Sequence, residues 1–144
     1  MLDVAVVRLD PQLPLPAYAR DGDAGIDLVA RVDAALQPAG GRVLMPTGIA
    51  IAIPRGYAGF VVPRSGLALR HGISVVNAPG LIDSAYRDEI KVVLLNTDLV
   101  LAYEIHRGDR IAQLVIQRIE EISWTEVDSF YDEGRGGGFG HSGR

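Results

Sequence analysis

The sequence predicts an all-β subunit, a jelly-roll-like β-sandwich or barrel, on three observations. Its apolar segments are short and rich in β-branched residues, and Gly, Pro, Asn or Asp interrupts them about every ten residues. Several of them, such as Val92-Val93-Leu94-Leu95 and Ile111–Ile116, are apolar on both sides, so a one-sided sheet would leave apolar surface in water. The chain has 144 residues, 48% apolar and 22% charged, which is enough for one domain with a core and too little for a second full one. A sandwich or barrel whose strands also pack against further copies of the chain accounts for all three.

Val4–Leu9 opens the series as a strand. Val43–Met45 and Thr47–Ile53 follow, and in the second of these Ile49, Ile51 and Ile53 share one face while Ala50 and Ala52 take the other. Pro54-Arg55-Gly56 turns the chain into the strand Tyr57–Val62, and Leu67–Arg70 is a single helical turn. Ser74–Asn77, Ile90–Leu95, Val100–Ile105 and Arg110–Arg118 complete the strands, separated by turns at Ala78-Pro79-Gly80, Asn96-Thr97-Asp98 and Arg107-Gly108-Asp109. Six of the 17 glycines fall between Gly134 and Gly143, where too little apolar surface remains to fold alone. The chain therefore divides into a β domain, residues 1–132, and a flexible glycine-rich C-terminal arm, residues 133–144.

Composition narrows the function. With no cysteine there is no disulfide, thiolate metal site or thiol nucleophile, and no basic stretch leads into an apolar leader core, which points to the cytoplasm. No apolar run reaches the roughly 20 residues of a membrane helix. A formal net charge of −4 argues against duplex nucleic acid as a partner, so any anionic ligand must be met locally. The positive charge is carried by thirteen arginines and a single lysine, Lys91. Arginine's planar fork suits phosphate and carboxylate, although biased codon usage would produce the same preference.

Five segments could carry chemistry. Pro63-Arg64-Ser65-Gly66-Leu67-Ala68 joins a strand to the helical turn, where free backbone N–H groups, a guanidinium, a hydroxyl and a glycine would together hold phosphate oxygens; an ordinary strand exit with a Ser cap is the plain alternative. Asn77 to Glu89 is too long for a tight hairpin and can form a looped pocket. There Asn77 and the backbone around Leu81 could read a base edge, Tyr86 could stack on a sugar face, and Asp83 could orient and deprotonate a water or simply cap a turn. Asp23 and Asp27 in Asp23-Ala24-Gly25-Ile26-Asp27-Leu28 are solvated surface or the support of a hydrated divalent cation. In Arg107-Gly108-Asp109-Arg110-Ile111-Ala112-Gln113-Leu114, a glutamine among apolar residues needs partners, either backbone or ligand. The tail Arg135-Gly136-Gly137-Gly138-Phe139-Gly140-His141-Ser142-Gly143 lacks the Gly-Lys-Ser/Thr step of a Walker loop, leaving a linker or a lid that closes over a phosphate chain.

In this order and spacing, these five segments resemble the five motifs of the trimeric dUTP pyrophosphatase (dUTPase) family, from Asp23 to Gly143. The resemblance implies a jelly-roll-like homotrimer with three active sites, each combining motifs from three subunits, that hydrolyses dUTP to dUMP and pyrophosphate with Mg2+. It implies that Arg64, Ser65, Gly66 and Gln113 contact or position the phosphates. Asn77, Leu81 and Ile82 would read uracil, several through main chain, and Lys91 would also line the pocket. Tyr86 would pack beneath the deoxyribose and refuse a 2′-hydroxyl. Asp83 would be the general base for a water attacking the α-phosphorus, and Asp27 would reach the metal only through water. Phe139 would stack over uracil, with Arg135, Gly140, His141 and Ser142 at the phosphates.

Two positions depart from the family pattern. Arg135 stands one residue closer to Phe139 than usual, and Asp88 replaces a frequent glycine after Tyr86-Arg87. A same-fold dCTP deaminase, or a bifunctional enzyme, would carry a glutamate where Val93 stands and a tryptophan where Tyr86 stands. A non-catalytic nucleotide-binding β-sandwich is the alternative from another class.

Overall fold

The structure, a computed structural model, describes residues 2–131 and Gly134. The expectations for Arg135, Phe139, Gly140, His141 and Ser142 lie outside the described residues. Eleven strands and one short helix make up the described fold: β1 (Ala5–Arg8), β2 (Ile26–Val29), β3 (Ala34–Leu36), β4 (Arg42–Pro46), β5 (Ile49–Ala52), β6 (Tyr57–Pro63), α1 (Ser65–His71), β7 (Ile73–Val75), β8 (Gly80–Ile82), β9 (Lys91–Asn96), β10 (Tyr103–Ile105) and β11 (Arg110–Arg118). They pair antiparallel in four small sheets, ordered β2-β11-β6-β8, β4-β9-β7, β1-β5 and β10-β3.

The two larger sheets bury one face each. On β9, Val92, Leu94 and Asn96 are buried while Val93 and Leu95 are half-exposed, and on β11, Ala112 and Leu114 turn inward while Gln113 and Val115 do not. Leu28, Leu36, Met45 and Ile105 join them in a single core, each such side chain contributing about 1.5–3 kcal/mol by leaving water. The buried Asn96 amide is satisfied: Nδ2 donates to the carbonyls of Leu36 (3.1 Å) and Leu101 (2.9 Å), and Oδ1 accepts from Asp98 N (2.9 Å).

Several boundaries differ from the sequence expectation. The helical turn is a seven-residue helix that begins at Ser65 and ends at His71, where Gly72 stops it in the left-handed region (φ 64°) and its N–H closes back on Ala68 O at 3.1 Å. The expected strand Val100–Ile105 is strand only from Tyr103, since Asp98 Oδ1 caps the N–H groups of Val100 and Leu101, both at 2.8 Å, in a turn. The segment read as a pocket loop contains strand β8, placing Gly80 in a strand and not in the expected Ala78-Pro79-Gly80 turn. Strand β3 was hidden because Ala34-Ala35-Leu36 is too short to show alternation.

Beyond β11 the chain leaves the sheets. Ile119 N still donates to Gly56 O (3.0 Å), and Arg55 holds Glu121 through Nε (3.1 Å) and Nη2 (3.0 Å). After that Ile122, Trp124, Phe130 and Tyr131 are largely exposed. Nearby surface is also apolar: a groove of about 430 Å³ runs between Val4, Val6, Leu15, Tyr18, Ile51 and Ile116.

Candidate active site

The first cluster grows from strand register. Asp27 on β2 lies directly opposite Gln113 on β11, which lies opposite Val62 on β6, so the three share the half-exposed face of the sheet. One residue beyond β6, Arg64 takes the extended N-cap position of α1 (φ −86°, ψ 123°) and swings back across that row. Its Nε donates to Asp27 Oδ1 at 3.0 Å and its Nη1 to Arg110 O at 3.2 Å. Gln113 Nε2 adds a bond to Asp27 Oδ1 (3.4 Å), and Arg110 Nη1 adds one to Oδ2 (3.3 Å). Two guanidinium groups therefore face one carboxylate, and the cluster keeps a net positive charge. The Arg64 and Asp27 side chains are only 24% and 14% exposed, so the surplus charge acts through a medium less screening than bulk water.

Ser65 and Gly66 extend this cluster. They are the first two residues of α1, and the first helical bond is Ala68 N to Arg64 O (3.0 Å), so the N–H groups of Ser65 and Gly66 have no intrahelical acceptor. The helix has no side-chain cap, which removes the Ser-cap reading. Gly25 packs on Gln113: a Cβ there would stand 3.2 Å from the Gln113 Cβ. Asp23 belongs elsewhere, its Oδ2 accepting from Arg20 N (2.8 Å) in an exposed turn.

The second cluster is a cavity of about 180 Å³ beside β8, and Asn77, Leu81, Ile82, Tyr86 and Lys91 all line it. β8 is the edge strand of its sheet, so one of its two rows of backbone N–H and C=O groups has no strand partner. The Ile82 side chain is buried in the core. Gly80 lies on the floor, where a Cβ would just touch Asn77 Nδ2 and Val61 Cβ, both at 3.4 Å. Tyr86 Oη donates to Glu89 O (2.9 Å). Asp83 follows β8 directly; its carbonyl accepts from Tyr86 N (3.1 Å), while its side chain is exposed and hydrogen-bonds to no described residue. Val93 lines the wall, and no carboxylate stands among the described residues that line the cavity.

Residues 12–143 match the family model for dUTPase. The chain belongs to the dUTPase family. It is 60% identical over 141 residues to the deoxyuridine 5′-triphosphate nucleotidohydrolase of Thermobifida fusca (strain YX), a match covering 97% of this chain and 78% of that one. To the protein of the same name from Mycobacterium leprae (strain Br4923) it is 56% identical over 146 residues, covering 97% and 94%. Among solved structures, a point mutant of the Staphylococcus bacteriophage 80alpha dUTPase with dUpNHpp aligns at a TM-score of 0.89, 25% identity and 99% coverage of each chain. A mutant dUTPase from phage phi11 of S. aureus, described with a structural Mg(II) ion, shares the fold at a TM-score of 0.83 and 23% identity, covering 90% of this chain and 99% of that one.

In this dUTPase-family chain the two clusters sit apart. β2 and β8 are the outer strands of one four-stranded sheet, three strand steps or about 14 Å from each other. Arg110 is the member of the charged cluster that sequence reasoning missed. It lies three residues before Gln113, and plain alternation would send it to the opposite face. A β-bulge between Arg110 and Ala112 resets the phase and brings it to Asp27. Among the described residues no group of three His, Asp or Glu side chains is placed to hold a metal ion. Asp27, already bonded by two arginines and a glutamine, is the carboxylate of this cluster that could support a hydrated divalent cation through its waters.

Proposed function

We infer that the chain hydrolyses dUTP to dUMP and pyrophosphate, removing dUTP from the nucleotide pool and supplying dUMP for dTMP synthesis. One observation carries the reading: a member of the dUTPase family pairs a cavity lined by no carboxylate among the described residues and edged by unpaired main chain with a net-positive cluster at Asp27. The free edge of β8 and Asn77 would pair with uracil. Cytosine's exocyclic amine inverts that hydrogen-bond pattern and would leave buried polar groups unmatched. Tyr86 would carry the deoxyribose, with Lys91 at the pocket rim. Arg64, Ser65, Gly66 and Gln113 would take the phosphates, assisted from the arm by Arg135, Gly140, His141 and Ser142, while Phe139 closes over the base.

Asp83 would accept a proton from a water whose oxygen attacks the α-phosphorus in line. The α–β bridging bond then breaks and pyrophosphate leaves, a reaction that needs positioning and charge neutralisation more than a covalent intermediate. Bound magnesium, held by the triphosphate and through water by Asp27, would neutralise charge that develops on the phosphates. The exposed Asp83 carboxylate is free for this work among the described residues, and the aliphatic Val93 supports hydrolysis over deamination.

We propose a homotrimer whose sites take the cavity from one subunit, the Asp27 cluster from another and the arm, residues 133–144, from a third. The separation of the two clusters supports it, as do the apolar groove and the exposed apolar residues after β11. No described helix is long and apolar enough to cross a membrane, and we place the enzyme in the cytoplasm. A pyrophosphate-release assay against the common dNTPs and UTP, with magnesium, tests the function. Turnover of dUTP alone is expected; equal turnover of the other nucleotides, or ammonia released from dCTP, overturns it.

A further inference from the structure

The wall of the cavity is held from outside by residues that take no part in the proposed chemistry. The loop from Ser84 to Asp88 is mostly exposed, and apart from the Tyr86 N bond it is tied mainly by Arg87 Nη1 to the carbonyls of Ser84 and Tyr86. The seat of the Tyr86 ring therefore depends on where the Glu89 carbonyl stands, 2.9 Å from its hydroxyl. That carbonyl is fixed on its far side. Glu89 Oε1 accepts from Gly48 N (2.8 Å) and Arg31 Nη1 (3.2 Å), and its side chain is only 13% exposed. The next residue is stitched to the same turn: Ile90 N donates to Ile49 O (2.9 Å), while Ile90 O accepts from Thr47 N (3.2 Å) and Thr47 Oγ1 (2.7 Å).

The chain of charges continues outward. Arg31 Nε lies 3.5 Å from Asp10 Oδ2, and Arg107 grips the same aspartate, with Nη2 at 3.0 Å from Oδ1 and Nη1 on Oδ2. Arg107 Nη1 also donates to Arg31 O (2.8 Å) and Arg31 Nη2 to Leu9 O (3.2 Å), so both arginines are braced by backbone as well as by Asp10. Gly48 lets the layers meet: its φ is 77°, and a Cβ would stand 3.0 Å from the Asp10 Cβ.

We propose that Glu89 is a positioning residue for sugar selection: the linked ion pairs Arg107–Asp10–Arg31–Glu89 hold its carbonyl, and with it the Tyr86 hydroxyl, so that the phenol cannot retreat to admit a 2′-hydroxyl. The inference rests on the proposed function, in which the deoxyribose packs on Tyr86. A rigid wall excludes an added hydroxyl by shape, and a small retreat of the ring would admit it.

The test uses the full-length enzyme with magnesium and measures pyrophosphate release from dUTP and from UTP separately. Glu89→Ala and Arg31→Met are each expected to raise the UTP-to-dUTP ratio of kcat/KM about tenfold, the low end of what the shape of a pocket discriminates. The change should lie mainly in KM. Tyr86→Phe should raise the ratio comparably, and Glu89→Ala should then add nothing further in that background. The core substitution Ile105→Val lowers stability without moving the ratio, which separates positioning from general weakening. Should Glu89→Ala fail to fold, Glu89→Gln keeps an acceptor for Gly48 N, removes the charge facing Arg31, and is expected to raise the ratio as well. An unchanged ratio in the folded variants, or an effect additive with Tyr86→Phe, overturns the proposal. A wild-type enzyme that releases no pyrophosphate from dUTP would overturn the proposed function instead.

Discussion

The cavity beside β8 comes from nearly one stretch of chain, residues 75–93 with Val61, whereas the Asp27 cluster draws one residue from β2, one from the β6–α1 junction and two from β11. The difference is also chemical. The cavity presents an unpaired strand edge, an amide and a phenol, groups that discriminate by shape and hydrogen-bond pattern, with Lys91 as its single charge among the described residues. The cluster presents two guanidiniums held by one carboxylate, a charge arrangement organised ahead of any anion's arrival. A region proposed to read a base can be local, because neighbouring residues on one loop already share a frame. A region that must concentrate charge needs like charges brought together, and only a rigid sheet with a bridging carboxylate holds them against their repulsion.

The largest expected effect removes the chemistry while sparing both regions. Asp83→Asn should lower single-turnover pyrophosphate release by about 10²–10⁴-fold, the usual contribution of a general base, with dUTP affinity by calorimetry nearly unchanged. Undiminished turnover would dissociate Asp83 from the reaction. Next, ending the chain after Glu133 should slow hydrolysis by on the order of 10²-fold if the arm closes over the site as proposed, while the assembly's mass in light scattering falls only by that of the removed residues. Full activity would show that two regions suffice without an arm.

The comparison itself is sharpened by Arg64→Met against Asn77→Ala. The first should cost about 10²-fold in kcat/KM for every nucleotide tested, since it removes charge stabilisation of the phosphates. The second should cost dUTP roughly tenfold and narrow its advantage over dCTP, since it removes a base contact. Equal effects of both on discrimination would erase the distinction between the regions.

The smallest effect concerns the outer brace. Hydrogen bonding from Arg107 lowers the Asp10 carboxyl from 3.8 to about 2, helped by the Gln12 N–H and the charge of Arg31 and opposed by desolvation. A carboxyl lowered by folding stabilises the native state above its unfolded value and loses that contribution as pH falls through the folded value. The Asp10 contribution should therefore persist through pH 4 and disappear between about 3.8 and 2. In Arg107→Met, NMR titration should find the Asp10 carboxyl shifted back toward 3.8. No shift would remove Arg107 from the brace.

Much of the cavity is legible in the sequence, because Asn77, Leu81, Tyr86 and Lys91 lie within fifteen residues and converge on one pocket. Gln113 is legible as an amide in need of a partner, yet its partner Asp27 lies 86 residues away and is reached only through the β2–β11 register. Arg110 is illegible for a definite reason: the bulge that turns it toward Asp27 is a mismatch between two strands and leaves no trace in either one alone. The brace from Arg107 to Glu89 joins residues up to 97 positions apart, and each of them reads in sequence as an ordinary surface charge.

The sequence by itself determined the all-β class, most of the strands, the order of five chemical segments and hence the dUTPase family, because alternation, turn residues and motif spacing are properties of a few consecutive residues. The tertiary structure decided which charges meet, that the Ile82 side chain is buried in the core, and what holds the Tyr86 ring. Those depend on strand register and on contacts between distant segments, and a one-residue shift in register would pair every side chain differently.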